Sequence, residues 1–145
     1  MFAPAHIFRS LARAFRRATD LENDRSLIAI IDDDASFRDA LDQLIRSYGF
    51  PTKSFPSAQD FLESDYVSRT SCLISDVQMP VMSGLELQRR LTAMGRTIPI
   101  IFVSSFSDDS IQQQALQAGA VGFLGKPFDQ EEMLVCIHSA LERDA

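Results

Sequence analysis

Residues 26–34 read SLIAIIDDD, an apolar run that ends in three consecutive aspartates. Its continuous apolar character and β-branched residues are typical of a strand buried on both faces of a parallel sheet. Asp32, Asp33 and Asp34 therefore stand where a buried strand ends. Neighbouring carboxylates repel one another, so this arrangement predicts either separate roles for the acids or a cation among them.

The rest of the chain alternates short apolar runs with helical patterns. This alternation predicts a flavodoxin-like, doubly wound (βα)5 fold with a five-stranded parallel sheet in the order 2-1-3-4-5. Asp34 and Ser107 are predicted to cap helices at their amino ends, and Gly49 and Gly119 to end helices. The predicted strands cover 26–31, 52–55, 72–75, 99–104 and 121–125, and the predicted helices cover 37–48, 57–64, 84–94, 107–119 and 128–144.

Composition narrows the class of protein. The chain has 145 residues, enough for one domain, and a net charge of −6, which disfavours direct nucleic-acid binding. Cys72 and Cys136 lie far apart without a CxxC pattern, which fits a reducing, cytoplasmic compartment. No apolar run approaches the roughly 18 residues of a membrane span. Arginines interrupt residues 7–18, where a secretory signal would need an apolar core.

Polar side chains follow four of the predicted strands. Asp32 and Asp33 follow the first strand and Asp76 the third, while Ser104 ends the fourth and Lys126 follows the fifth. In the order 2-1-3-4-5 these strand ends meet at one rim, where open α/β sheets bind ligands. Carboxylate oxygens suit Mg²⁺, and an ammonium and a hydroxyl can hold phosphoryl oxygens. The rim therefore predicts a phosphoryl-transfer site that uses Mg²⁺.

Together these elements resemble the receiver domain of response regulators in bacterial two-component systems. The resemblance covers residues 27–142 and implies the flavodoxin-like fold, with Asp76 as the phosphoacceptor assisted by Lys126 and Ser104. The implied ligands of Mg²⁺ are Asp33, Asp76, the backbone carbonyl of Gln78 and, through water, Asp32. The matching segments are IIDDD (30–34), ISDVQMPVMSG (74–84), PIIFVSS (99–105) and GFLGKPF (122–128).

The resemblance also implies a conformational switch. Ser104 and Phe123 match the switch pair of the family, and the Lys126–Pro127 peptide bond is expected to be cis. Phosphorylation of Asp76 is then expected to change a face formed by the fourth helix, the fifth strand and the fifth helix. This face is expected to pair two chains.

Three positions bear on the lifetime of the phosphorylated state. Gln78 and Phe106 match positions that tune hydrolysis in the family, and the Phe106 ring is expected to exclude attacking water. Ser105 stands where Ala or Gly is usual and would crowd access to the phosphoryl group. The chain is expected to assist its own phosphorylation and dephosphorylation, and not to act as an enzyme on other substrates.

The resemblance implies a sensor histidine kinase or a phosphotransfer protein as the phosphoryl donor. KPF (126–128) and MSGLEL (82–87) resemble receivers that precede the helix-turn-helix output domains of nitrogen-fixation regulators. Because the chain ends just past its fifth predicted helix, two forms remain open. It acts as a single-domain regulator, or it is a fragment of a longer transcription regulator.

Three other functions compete with this interpretation. An aspartyl-phosphate hydrolase of the haloacid dehalogenase type needs a second aspartate two residues after the first, and Gln78 occupies that place. A flavin or nucleotide module needs a Gly-rich or Ser/Thr-rich loop after the first strand, where this chain has three acids. A receiver-like scaffold acting without phosphorylation would not need Asp33, Asp76, Ser104 and Lys126 together.

The amino-terminal arm, residues 1–26, differs in character from the rest of the chain. It contains five arginines against three acidic residues, in a chain that is acidic overall. At a helical period, residues 6–18 place apolar side chains on one side and arginines on the other. We expect this arm to dock weakly on a membrane or a partner as an amphipathic helix. The alternatives are a start codon assigned too early and a disordered leader. The receiver should occupy 27–142, with a short tail at 143–145.

Overall fold

The structure, a computed structural model, describes residues 26–106 and 108–144, with side chains up to residue 142. Within these residues, five strands form one sheet in the order β2-β1-β3-β4-β5, and every neighbouring pair is parallel. The predicted fold class and strand order are confirmed. The strands are β1 Leu27–Ile31, β2 Thr52–Phe55, β3 Thr70–Asp76, β4 Ile100–Ser104 and β5 Gly122–Gly125.

Helices cover both faces of the sheet. Residues of α1 and α5 pack in one core cluster, and residues of α2, α3 and α4 pack in the other. Among the described residues, no helix is long and apolar enough to cross a membrane. The helices are α1 Ala35–Ser47, α2 Ala58–Leu62, α3 Gly84–Ala93, α4 Asp109–Gln117 and α5 Gln130–Asp144, with a 3-10 turn at Val67–Arg69.

The central strand β1 shows why the opening sequence is apolar without interruption. Ile28 and Ile30 belong to the cluster under α1 and α5, whereas Ala29 and Ile31 belong to the cluster on the opposite face. Successive side chains of a strand point to opposite faces. Both faces of β1 are buried, so each position must be apolar until the strand reaches the rim.

Capping side chains set where the helices begin. The Asp34 carboxylate accepts hydrogen bonds from the N–H groups of Ser36 and Phe37, which confirms it as the cap of α1. The prediction of Ser107 as the cap of α4 was wrong. Asp108 caps that helix, because its side chain accepts from the N–H groups two and three residues ahead. Ser107 itself and the arm at 1–25 lie outside the described residues.

Gly84, the first residue of α3, sits in the tightest contact of the glycines described. A Cβ placed there would lie 2.4 Å from the Asp76 carbonyl oxygen and 2.8 Å from the Phe102 ring. The Gly84 N–H also donates to the Val77 carbonyl at 2.8 Å. The helix therefore starts directly against the end of β3, and only glycine leaves room for that approach.

Gly84→Ala should lower the free energy of unfolding by about 1–3 kcal/mol, because the new methyl group would overlap backbone and ring atoms. Urea denaturation measures the change. Gly125→Ala is the matched control, since a Cβ at Gly125 meets nothing within 4 Å. Equal stabilities of the two variants would contradict the steric explanation.

Candidate functional site

The carboxyl ends of β1 and β3 bring three acidic side chains together. One carboxylate oxygen from each of Asp32, Asp33 and Asp76 lies within 4.8 Å of the others. Asp32 is 1% exposed and Asp76 is 8% exposed, whereas Asp33 faces solvent. Two of the three charges are thus removed from water, and the third lies at the open side of the cluster.

Lys126 supplies a cation to this cluster from the neighbouring end of β5. Its Nζ lies 2.8 Å from Asp32 Oδ2 and 3.1 Å from Asp76 Oδ2. The Lys126 side chain is 13% exposed, and its backbone N–H donates to the Ser104 carbonyl at 2.8 Å. The Lys126–Pro127 bond is cis, as predicted. One ammonium thus balances one of three carboxylates, and the cluster keeps a net negative charge.

Backbone donors orient the two buried carboxylates. The Asp34 N–H donates to Asp32 Oδ1 at 2.9 Å, and the Gln78 N–H donates to Asp76 Oδ1 at 3.2 Å. The Lys126 ammonium donates to the Oδ2 atom of each carboxylate. Each buried carboxylate is therefore held by one N–H of the loop that follows it and by the shared ammonium.

The pKa values of Asp76 and Lys126 are shifted by burial and by the hydrogen bonds that the Lys126 ammonium donates. Burial raises the pKa of the Asp76 carboxyl, and the hydrogen bond from Lys126 opposes that rise. Burial alone would lower the pKa of the Lys126 ammonium, but its hydrogen bonds to Asp32 and Asp76 leave that pKa raised. Lys126 is therefore charged, and together with the Gln78 N–H it opposes the rise in the Asp76 pKa that burial causes.

Ser104 and the other predicted site residues differ in how deeply they are buried. Ser104 is 3% exposed at the end of β4, and its Oγ accepts a hydrogen bond from the Phe106 N–H at 3.1 Å. Phe106 is 60% exposed. Phe123 is half-buried in β5 and packs against Phe102 with ring centroids 6.3 Å apart. Gln78 has an exposed side chain.

Two residues near the site were not singled out by the sequence. The Lys126 ammonium lies over the Phe37 ring, 4.0 Å from its centroid. Arg38 Nη1 donates to the backbone carbonyl of Asp32 at 2.6 Å. Both belong to the first turns of α1, whose side chains lean back towards the helix amino terminus. Because Phe37 and Arg38 follow the acidic run at the start of a predicted helix, this lean of helical side chains could have predicted that they reach the site.

Comparisons with known proteins agree on one family. A family model described as the response regulator receiver domain matches residues 28–138. The response regulator protein TodT of Pseudomonas putida is 47% identical over 117 residues, which are 81% of this chain and 52% of TodT. The chain spans about half the length of the curated relatives it matches.

Solved structures similar to this chain are also response regulators. The response regulator StyR has a TM-score of 0.78 at 39% identity, covering 83% of this chain and 61% of that one. The crystal structure of FixJ-N has a TM-score of 0.73 at 33% identity, covering 80% of this chain and 93% of that one.

Replacing Lys126 by methionine should destabilise the metal-free protein, because Asp32 and Asp76 would remain buried without their cation. We expect a loss on the order of 2–4 kcal/mol in urea denaturation near neutral pH. The variant's Asp76 pKa should rise further above its unfolded value. Protonation then favours the folded state, so the deficit should shrink as the pH falls through that raised pKa.

Lys53→Met is the matched control for this experiment, since Lys53 is the other lysine of the chain and is exposed. Both variants are compared in EDTA at about pH 7.5 and about pH 5. A Lys126→Met deficit that is equal at the two pH values would contradict the electrostatic explanation.

Proposed function

The chain belongs to the response regulator receiver domain family of two-component systems, and we propose that it accepts a phosphoryl group on Asp76. The proposed donor is a sensor histidine kinase or a phosphotransfer protein. The observation that carries this proposal is the contact of Asp76 Oδ2 with the Lys126 ammonium at 3.1 Å, inside a cluster of three carboxylates.

Asp76 is the proposed acceptor because of its central position. It ends β3, which lies between β1 and β4 in the sheet. The carboxylates of Asp32 and Asp33 therefore stand on one side of it, and the Ser104 hydroxyl stands on the other. Asp32 is more deeply buried than Asp76, and Asp33 lies on the exposed side of the cluster.

The residues present fit Mg²⁺ as a cofactor. Asp32, Asp33 and Asp76 offer hard oxygen donors within 4.8 Å of one another, and the exposed Asp33 leaves room for the waters that Mg²⁺ retains. We propose these three side chains and the Gln78 carbonyl as its ligands, with Asp32 acting through water. When bound, Mg²⁺ would neutralise negative charge on the phosphoryl oxygens.

In the proposed reaction an Asp76 carboxylate oxygen attacks phosphorus. The new O–P bond forms as the N–P bond of the donor phosphohistidine breaks, and the histidine nitrogen keeps the electron pair. The Lys126 ammonium stabilises charge on the transferring oxygens, and Ser104 donates a hydrogen bond to one of them. Phosphoryl transfer demands little more than this positioning and charge, and both are supplied by residues of the rim.

We further propose that Ser104 and Phe123 couple the site to the α4–β5–α5 face. The Ser104 Oγ accepts from Phe106 N–H, so its proton is available to a phosphoryl oxygen. Leu116 on α4 and Val135 on α5 are 43% and 68% exposed, which supports a role for this face in pairing two chains. Tuning of hydrolysis by Gln78 and Phe106 stays a prediction.

The rival functions are less well supported. The side chain at the place of the hydrolase's second aspartate is Gln78, which cannot act as a general acid or base. A phosphate-bearing cofactor would meet the carboxylates of Asp32 and Asp33 at the end of β1. A scaffold that is never phosphorylated would not need a buried ammonium on Asp76. Docking by residues 6–18 concerns a segment outside the described residues.

Incubation with acetyl phosphate and Mg²⁺ should add the mass of one phosphoryl group, and Asp76→Asn should abolish that addition. Mass spectrometry of the intact protein measures it. Asp34→Asn is the matched control, since the Asp34 side chain caps α1, asparagine caps helices equally well, and the backbone N–H that donates to Asp32 is kept. A labelled Asp76→Asn variant would show that the acceptor is wrong, and an unlabelled parent would favour the scaffold function.

Asp33→Ala should weaken Mg²⁺ binding by about tenfold or more while the fold stays intact, because it removes an oxygen ligand and also relieves like-charge repulsion. Titration calorimetry measures the affinity and urea denaturation the stability. Asp34→Asn again serves as the control. Equal Mg²⁺ affinity of Asp33→Ala and the parent would remove Asp33 from the ligand set.

A further inference from the structure

The Lys126 ammonium has a third neighbour besides its two carboxylates. Its Nζ lies 4.0 Å from the centroid of the Phe37 ring. Phe37 meets Phe128 edge-on, with centroids 6.1 Å apart and an interplanar angle of 83°. The ring therefore also contacts a residue only two positions beyond Lys126.

This geometry is a cation–π contact. A cation within about 6 Å of a ring centroid is attracted by the ring's quadrupole, and the attraction grows when the cation is shielded from water. The Lys126 side chain is only 13% exposed. The ring thus adds an attraction that neither carboxylate supplies, and it closes one side of the space in which the ammonium moves.

Lysine needs such a restraint at this site. Its charge is carried on a flexible four-carbon stem, and β5 ends one residue before it. Two carboxylates on different strands attract the ammonium, and one of them would change its charge and shape on phosphorylation. The ring of Phe37 does not change in that reaction, so its attraction for the ammonium stays the same before and after phosphoryl transfer.

We propose that Phe37 is a positioning residue for phosphoryl transfer, which holds the Lys126 ammonium against Asp76 through its ring face. This inference rests on the proposed function. An apolar side chain of similar size would fill the same space beside Phe128 but would not attract a cation. A packing role and a positioning role therefore predict different results.

The test compares three variants in the full chain with acetyl phosphate as the donor and Mg²⁺ at saturation. Phe37→Leu should lower the rate of phosphorylation by about 3- to 10-fold, and Phe37→Tyr should restore it to within about twofold. Phe50→Leu is the matched control, because Phe50 is half-buried in the same layer and contacts His138 instead of Lys126. Its rate should equal that of the parent.

Two further measurements separate positioning from packing. The Mg²⁺ concentration at half-maximal rate should be the same in Phe37→Leu and the parent. In a Lys126→Met background, Phe37→Leu should leave the residual rate unchanged, since no cation remains for the ring to hold. The same cycle in urea denaturation should show coupling between Phe37 and Lys126.

The outcomes distinguish this inference from the proposed function. A parent that is labelled, with Phe37→Leu labelled at the same rate, overturns the positioning role and leaves the proposed function standing. A rate loss that persists in the Lys126→Met background also overturns it. A parent that is never labelled overturns both, even if unfolding shows that the ring and the ammonium are coupled.

Discussion

The repulsion among three carboxylates at the carboxyl edge of a parallel sheet is the constraint on which the site depends. Two of these charges are buried, and a buried charge without a partner costs several kcal/mol. Lys126 meets that need with a single ammonium placed between Asp32 and Asp76. The remaining negative charge is left at the exposed side, where a divalent cation is the natural complement.

This constraint explains features that look unrelated along the chain. The strand order places β1 beside β3, so that their terminal acids converge. The β5 strand must then end close enough for Lys126 to reach across β4, and the backbone bond from Lys126 N–H to the Ser104 carbonyl fixes that approach. Loop N–H groups donate to the Oδ1 atoms of both buried carboxylates. The strand order, the loop conformations and the charge balance therefore all contribute to holding Asp32, Asp76 and Lys126 together.

Sequence reasoning predicted the parts that depend on periodicity and strand ends. The apolar run at 27–31 indicates a doubly buried strand, and the rule for parallel sheets then places Asp32, Asp76 and Lys126 together. It did not predict contacts that depend on side-chain direction, such as Phe37 under Lys126 and Arg38 on the Asp32 carbonyl. The start of α4 was misplaced by one residue because serine and aspartate in sequence are both good caps.

The packing around Asp76 also shows how a change at the rim can reach β5. The Asp76 carbonyl and the Phe102 ring both press against Gly84 at the start of α3. Phe102 in turn packs against Phe123 of β5. These groups leave no free volume for a Cβ, and tightly packed contacts shift together instead of compressing. A displacement of the β3–α3 loop would therefore move Phe102 and, through it, the surroundings of Phe123, which is a route separate from the hydroxyl of Ser104. The switch proposed for the α4–β5–α5 face would thus connect to Asp76 in two ways, through the hydroxyl of Ser104 and through the packing of Phe102 on Phe123.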